Sequence, residues 1–273
     1  MKKLIYLLIA ALMVLAAVSC KKDNKPGNDE PEMPVLEEAV DLGMVLSRED
    51  GTTYRLYWAK SNLCETGLCA NPEDYGDYYA WGEMEPYYTE GHSQDNPCSS
   101  WRTREDNPIT GYNWESYKFW TSGDSWDNIK LSKYNTMDSH GPVDNITELQ
   151  RGEEEGETKD DVARAKLGGK WRMPTIAEWT ALCTRCTWAW TRRNGIDGQL
   201  FTASNGKSIF LPAAGSRTRT NLYNKGSYGY YWSSSLRTDD PNAAYEMSFG
   251  SDNVYRGSGG RYLGYSVRPV REE

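Results

Sequence analysis

The chain is poor in residues that do covalent chemistry, and their spacing argues against most of it. Histidine occurs twice in 273 residues, as His92 and His140. That leaves little room for a Ser-His-Asp relay or a multi-histidine zinc site. Cys183-Thr-Arg-Cys186 has C-x-x-C spacing, but redox pairs of that kind open a helix and this one falls near a helix end. It reads as a buried thiol face. Cys64 and Cys69 flank Glu65-Thr66-Gly67-Leu68, a loop short enough for a disulfide to close, and Cys98 is left over. The pairing among Cys64, Cys69, Cys98, Cys183 and Cys186 stays open. A four-cysteine zinc site is disfavoured, because the first pair is not C-x-x-C and the second sits on a helix. Glu83 and Glu85 offer two carboxylates, but a glycosidase needs a defined separation that sequence does not give. The expectation is a protein with no catalytic residues, no metal site and no cofactor.

Binding chemistry is better represented. The chain has 19 Tyr and 11 Trp against 4 Phe. Tyr and Trp join an apolar body to a polar tip and suit half-wet binding faces. The stretch from Arg217 to Tyr262 is dense in Tyr, Asn, Ser, Gly, Asp and Arg, the mixture of rigid aromatic anchors and small hydrogen-bonding groups found in adaptable paratopes. Tyr223, Asn224, Tyr228, Arg237, Asn242, Asp252, Asn253, Tyr255, Arg256 and Tyr262 are expected at loops or strand ends as ligand contacts. The ligand class is a glycan or a protein. Formal net charge is −8, which opposes a nucleic-acid partner.

The N-terminus sets an expected compartment. Lys2 and Lys3 precede an apolar run from Leu4 to Val18, and Ala17-Val18-Ser19-Cys20 follows. A basic start, a short apolar stretch and small residues before a cleavage point make a signal segment over 1–19. With its cysteine it resembles a bacterial lipoprotein signal, so Cys20 is expected to carry lipid. Residues 20–38 are polar and proline-rich and read as a tether. The folded part, 39–273, is expected to sit as a monomeric domain on the outer membrane at the cell surface, attached through the N-terminal lipid.

The elements that must hold the binding residues are partly readable. Tyr54–Trp58 and Asp77–Trp81 alternate like strands, and Ser208–Leu211, Gly229–Ser233, Ala244–Phe249 and Tyr265–Val270 follow late in the chain. A short helix is expected over 160–166, ended by Gly168-Gly169. A stronger one starts at Thr175, where Glu178 three residues on completes a capping box, and runs to about Cys186. Ile176, Trp179, Cys183 and Cys186 share one of its faces. From about 82 to 160 the chain is polar and rich in turn residues, a long insertion.

Five blocks carry a family resemblance: Glu73–Glu83, Gly168–Thr175, Ile209–Gly215, Gly229–Ser234 and Ser266–Val270. In order and spacing they resemble the Fibrobacter succinogenes major paralogous domain, over roughly Val40 to Val270. The resemblance implies an α+β fold of the C-type-lectin-like kind: a twisted antiparallel sheet, two flanking helices and long loops. It implies no formylglycine-generating activity, since no cysteine follows Cys186. Asp239-Asp240-Pro241-Asn242 faintly matches one element of calcium-dependent lectins, but the second element is absent and an ordinary Asp-Pro turn is the preferred reading. Trp81 and Trp232 are expected as core rings, Gly215 and Gly229 as turn positions, and Arg268 as a partner for a buried carboxylate or carbonyl. Two alternatives accompany the ligand-binding reading: an accessory subunit of a cell-surface assembly, or a diversified variable protein of the same fold.

Overall fold

A computed structural model describes residues 38–87, 111–154, 157 and 159–273. The signal segment 1–19, Cys20, nearly all of the tether, His92 and Cys98 lie outside the described residues. The strands are β1 Ala39–Ser47, β2 Thr53–Ala59, β3 Leu63–Cys64, β4 Gly67–Leu68, β5 Trp120–Ser122, β6 Lys130–Leu131, β7 Trp171–Arg172, β8 Cys186–Arg193, β9 Ile196–Ala203, β10 Ser208–Pro212, β11 Ser216–Thr218, β12 Asn221–Tyr223, β13 Gly229–Leu236, β14 Ala243–Phe249, β15 Val254–Gly260 and β16 Val270–Glu272. Two α-helices, α1 Val162–Leu167 and α2 Ile176–Arg185, complete the set with two single 3₁₀ turns.

The expected α+β architecture with two flanking helices is not what forms. The described residues are 42% strand and 10% helix, and their strands divide among several small antiparallel sheets. The largest has the order β1-β2-β16-β7; two three-stranded sheets have the orders β10-β9-β8 and β13-β14-β15. The physical reason is local. Gly168 leaves the α1 helix with φ +65° after six residues, and the run Cys186-Thr-Trp-Ala-Trp-Thr after α2 is β-branched and aromatic and extends as a strand. The α1 helix lies against β7 and β4, whereas α2 lies against β8, β9, β13, β14 and β15. The helices therefore serve different sheets.

Individual elements fare better. The α2 helix begins as expected: Thr175 Oγ1 accepts from the Glu178 N–H at 3.2 Å, and the Glu178 carboxylate accepts from the Thr175 N–H at 2.8 Å. Trp179 is fully buried, with Ile176, Cys183 and Cys186 around it. The expected strand over 77–81 is reduced to a single bridge between Tyr79 and Tyr265, and the last strand is confined to Val270–Glu272. Gly229 is not a turn residue but opens β13. A Cβ there would stand 2.2 Å from the Phe249 ring, so the position needs the missing side chain rather than an unusual φ.

Two hydrophobic clusters fill the interior. One gathers Leu56, Trp58, Trp179, Leu182, Phe201, Leu211, Tyr231, Met247 and Phe249 between α2 and the strands around it. The other holds Trp81, Tyr117, Phe119, Tyr134, Trp232 and Tyr265, so the stretch read as an insertion supplies core rings. Trp81 and Trp232 are both fully buried, and each indole N–H donates to a backbone carbonyl at 2.8 Å, of Ser233 and Tyr79 respectively. Arg268 is fully buried and donates to the carbonyls of Ala59, Lys60 and Phe210 and to Asn62 Oδ1, the carbonyl pairing expected of it. Burial lowers its pKa to about 10.

A buried ion pair joins α2 to the largest sheet. Arg172 donates to both oxygens of Glu178, at 2.5 and 2.7 Å, and Tyr54 Oη donates to the same carboxylate at 2.8 Å. These partners hold the Glu178 pKa below its usual value against the opposing effect of burial. Removing one member of a buried pair leaves an uncompensated charge, at a cost of about 3–5 kcal/mol. Arg172→Met is therefore expected to lower stability by about that amount in urea unfolding; a loss below about 1 kcal/mol would mean that the pair does not join the layers.

Candidate functional site

The ten expected contact residues fall into separate places. Tyr223 ends β12, and Asn224 follows it with φ +59°. Asn224 hydrogen-bonds the half-buried Tyr230, and Tyr228 stacks on Tyr230 with ring centres 6.3 Å apart. Asn253 Oδ1 accepts from the Gly250 N–H at the β14–β15 turn, where the Tyr228 ring also lies, and Asp252 is exposed on that turn. Tyr255 and Arg256 are not loop residues but adjacent members of β15, so they point to opposite faces. Tyr255 shares a cross-strand row with Tyr230 and Ser248 and is 59% exposed. Arg256 is turned to the helix side, donating to Thr180 Oγ1 at 3.3 Å.

Two of the remaining three are more committed to structure. Arg237 pairs with Asp239 at 2.9 Å and reaches Ser258 Oγ. Asn242 is fully buried and donates to the Trp126 carbonyl at 2.7 Å. Asp240 accepts from the Asn242 N–H and from the Trp126 indole. The Asp239–Asn242 segment is thus a pinned turn. Among the described residues no group of three or more His, Cys, Asp or Glu is placed to hold a metal ion.

Tyr262 marks the concave site. It lines a cavity of about 240 Å³ with Tyr112, Asn113, Trp114, Asp124, Thr218 and Arg219. The Trp114 and Tyr262 rings sit 4.9 Å apart at 58°, and Trp126 meets Trp114 edge-on at 5.9 Å. Arg219 is exposed and held at φ +53° by reciprocal backbone hydrogen bonds with Tyr112. A left-handed conformation at a non-glycine residue costs free energy and tends to collect at functional positions. Asp124 is fixed by Asn128, whose side-chain amide donates to its carboxylate at 2.7 Å. Aromatic walls with a few polar groups converging on one opening are the ordinary make-up of a small-ligand site. Trp114, Trp126 and Arg219 were not singled out from sequence. The available signal was a tryptophan in the polar run Gly111-Tyr-Asn-Trp, with no way to know that the run folds against Tyr262.

A second feature lies under the tyrosine row. Glu246 pairs across the sheet with Trp232 on one side and Gly257 on the other. A Cβ on residue 257 would stand 3.0 Å from Glu246 Oε1, so the glycine makes room for the carboxyl. Burial pushes the Glu246 pKa up to about 7, and hydrogen bonds with Tyr265 and Ser248 only partly offset this.

The cysteines are structural in placement. Cys64 and Cys69 form a disulfide. Cys183 and Cys186 are free, and burial pushes both thiols up to about 11, away from the reactive thiolate form. Glu83 and Glu85 do not act as a pair: Glu83 is buried and accepts from Tyr87 Oη and the Lys118 N–H, while Glu85 is exposed beside Lys166.

Residues 190–270 match a family model described as Domain of unknown function (DUF8237). The match runs from the end of β8 to the first residue of β16 and includes Arg219, Glu246 and Tyr262, but it covers less than half of the chain. No curated protein and no solved structure matches. No described helix is long and apolar enough to cross a membrane.

The raised Glu246 pKa makes stability depend on pH in a defined direction. Between the unfolded value of 4.5 and about 7, the folded chain keeps a proton that the unfolded chain has lost. Its contribution therefore falls as pH rises through that window, by about 3 kcal/mol, and is level above it. Glu246→Gln is expected to narrow the stability difference between pH 5 and pH 8 in urea unfolding. An unchanged difference would show that the buried carboxyl does not titrate there.

Proposed function

We propose that the chain is a non-catalytic glycan-binding protein, held at the outer surface of the outer membrane by lipid on Cys20. The observation that carries the binding reading is the cavity lined by the packed rings of Trp114 and Tyr262 together with Arg219 and Asp124. An aromatic face is electron-rich, and the C–H face of a sugar ring is its natural partner. The fixed carboxylate and guanidinium then suit hydroxyl or carboxylate groups on the same ligand.

The N-terminal pattern supports the anchor, and the five blocks quoted above support membership of the Fibrobacter succinogenes major paralogous domain family, taken here without the lectin-like architecture. Three of those blocks, Ile209–Gly215, Gly229–Ser234 and Ser266–Val270, lie inside the stretch matched by the family model.

A glycan microarray probed with the full-chain protein tests this reading. Wild type is expected to bind a coherent set of glycans. Trp114→Ala and Tyr262→Ala should each weaken binding about tenfold or more, as expected for anchors at the centre of a site. Tyr255→Ala should leave it within about twofold. Absence of any bound glycan, or wild-type binding by Trp114→Ala, would contradict the proposal.

A further inference from the structure

The outer edge of β8 is built differently from the other sheet edges. β8 and β9 are joined by Asn194-Gly195, with φ +48° and +84°, and pair without interruption over eight residue pairs. A two-residue turn of this kind makes Arg193 and Ile196 a hydrogen-bonded pair. Alternation along the ladder then turns the N–H and C=O of Thr187, Ala189 and Thr191 towards β9. The β9–β10 side agrees, because Ala203 donates to the Lys207 carbonyl and the Asp197 carbonyl accepts from Ala213, which commits the odd-numbered residues of β9 to β10. The N–H and C=O of Trp188, Trp190 and Arg192 therefore point outward. Among the described residues no backbone hydrogen bond reaches them.

Other edges are guarded. On β1, Arg185 donates to the Val45 carbonyl and Asn205 to the Asp41 carbonyl. On β10, Arg268 donates to the Phe210 carbonyl, Tyr231 to that of Pro212, and Pro212 has no N–H to offer. β15 is broken up by Gly257, Gly259 and Gly260, which weaken a strand. β8 has no proline, no lysine and no bulge, and its only charges are the two arginines at its turn end. It also exposes Trp188 at 40%.

Charge selects the occupant. β8 carries no acidic residue; Arg192 and Arg193 lie at one end, paired with Asp197 at 3.3 Å and Glu73 at 3.7 Å but with side chains still 69% and 43% exposed, and Arg185 precedes the other end. A second copy would bring a strand that has no acidic residue and carries the same two arginines, so it offers them no counter-charge. We propose that β8 is a docking edge that takes an extended, acid-flanked segment of another protein as a fourth strand of the β8–β9–β10 sheet. Main-chain bonds to Trp188, Trp190 and Arg192 supply affinity, and acidic side chains opposite the arginines set register. This edge is independent of the glycan cavity.

The test uses the full-chain protein and a seven-residue peptide of alternating Thr and Val with Glu at both ends. Residue-resolved hydrogen exchange is read with and without peptide. The Trp188, Trp190 and Arg192 amides should exchange fast in the free chain and become protected with peptide, while those of Thr187, Ala189 and Thr191 are protected throughout. Methylating alternate peptide amides, or replacing the flanking Glu by Lys, should weaken binding at least tenfold. Trp188→Pro removes an outward N–H without touching the ladder to β9 and should also weaken binding about tenfold. Replacing Arg192 and Arg193 by Glu should reverse the preference to the Lys-flanked peptide. Failure of the three amides to become protected, equal binding of all peptides, or their concentration-dependent protection without peptide would overturn the proposal, the last in favour of a second copy.

Discussion

A single buried guanidinium organises the half of the molecule that carries the cavity. Arg261 is fully buried, with no carboxylate at ion-pair distance among the described residues. A charge in that position is sustained only if its hydrogen bonds are met. Arg261 Nε donates to Tyr117 Oη, Nη1 to the carbonyls of Tyr134 and Pro241, and Nη2 to that of Lys133. The rings of Trp81, Tyr117, Phe119 and Tyr134 surround it with centres 4.9 to 5.8 Å away, adding cation–π attraction in a desolvated place. The turn at Pro241, the segment from Tyr117 to Tyr134 and the end of β15 are tied together at this one group.

The consequences reach the candidate site through chain continuity. Tyr262 follows Arg261 directly, and Trp114 packs edge-on against Tyr117, 5.8 Å away. Both aromatic rings that line the cavity are thus neighbours of the arginine cage. The polar segment from 111 onward holds its place through this cage and through Asp160, which accepts from Tyr134 Oη and pairs with Lys118 and Lys133. Arg268 does the equivalent work elsewhere, joining Phe210 of β10 to the carbonyls after β2. Neither arginine leaves the protein a simple hydrophobic core; each trades apolar burial for a fixed arrangement of backbone carbonyls.

Local signals were legible in the sequence, whereas relations between distant segments were not. The capping box at Thr175, the alternation of Tyr54–Trp58 and the β13 and β14 runs are set by neighbouring residues and were read. The β8–β9 hairpin carries a strong turn signal in Asn194-Gly195, but its first strand starts inside the C-x-x-C run, directly where α2 ends, so the helical pattern masks it. Asp77–Trp81 alternates like a strand, yet its groups are met singly, Tyr79 by Tyr265 and Trp81 by the Arg261 carbonyl. Tyr262 was expected as a contact from its composition alone; Trp114 and Arg219 were not, since only folding brings 114 and 219 to 262. Two readable helices suggest the flanks of one sheet, but no local signal shows that each serves a different one.

Hydrogen exchange on wild type and Arg261→Met tests the central claim most directly, that the caged guanidinium seats the cavity-bearing layer. The account predicts loss of amide protection in 112–134 and around 261–265, with protection retained in β1, β2, β9 and β10. Unchanged protection in 112–134, or an even loss across the whole chain, would contradict it.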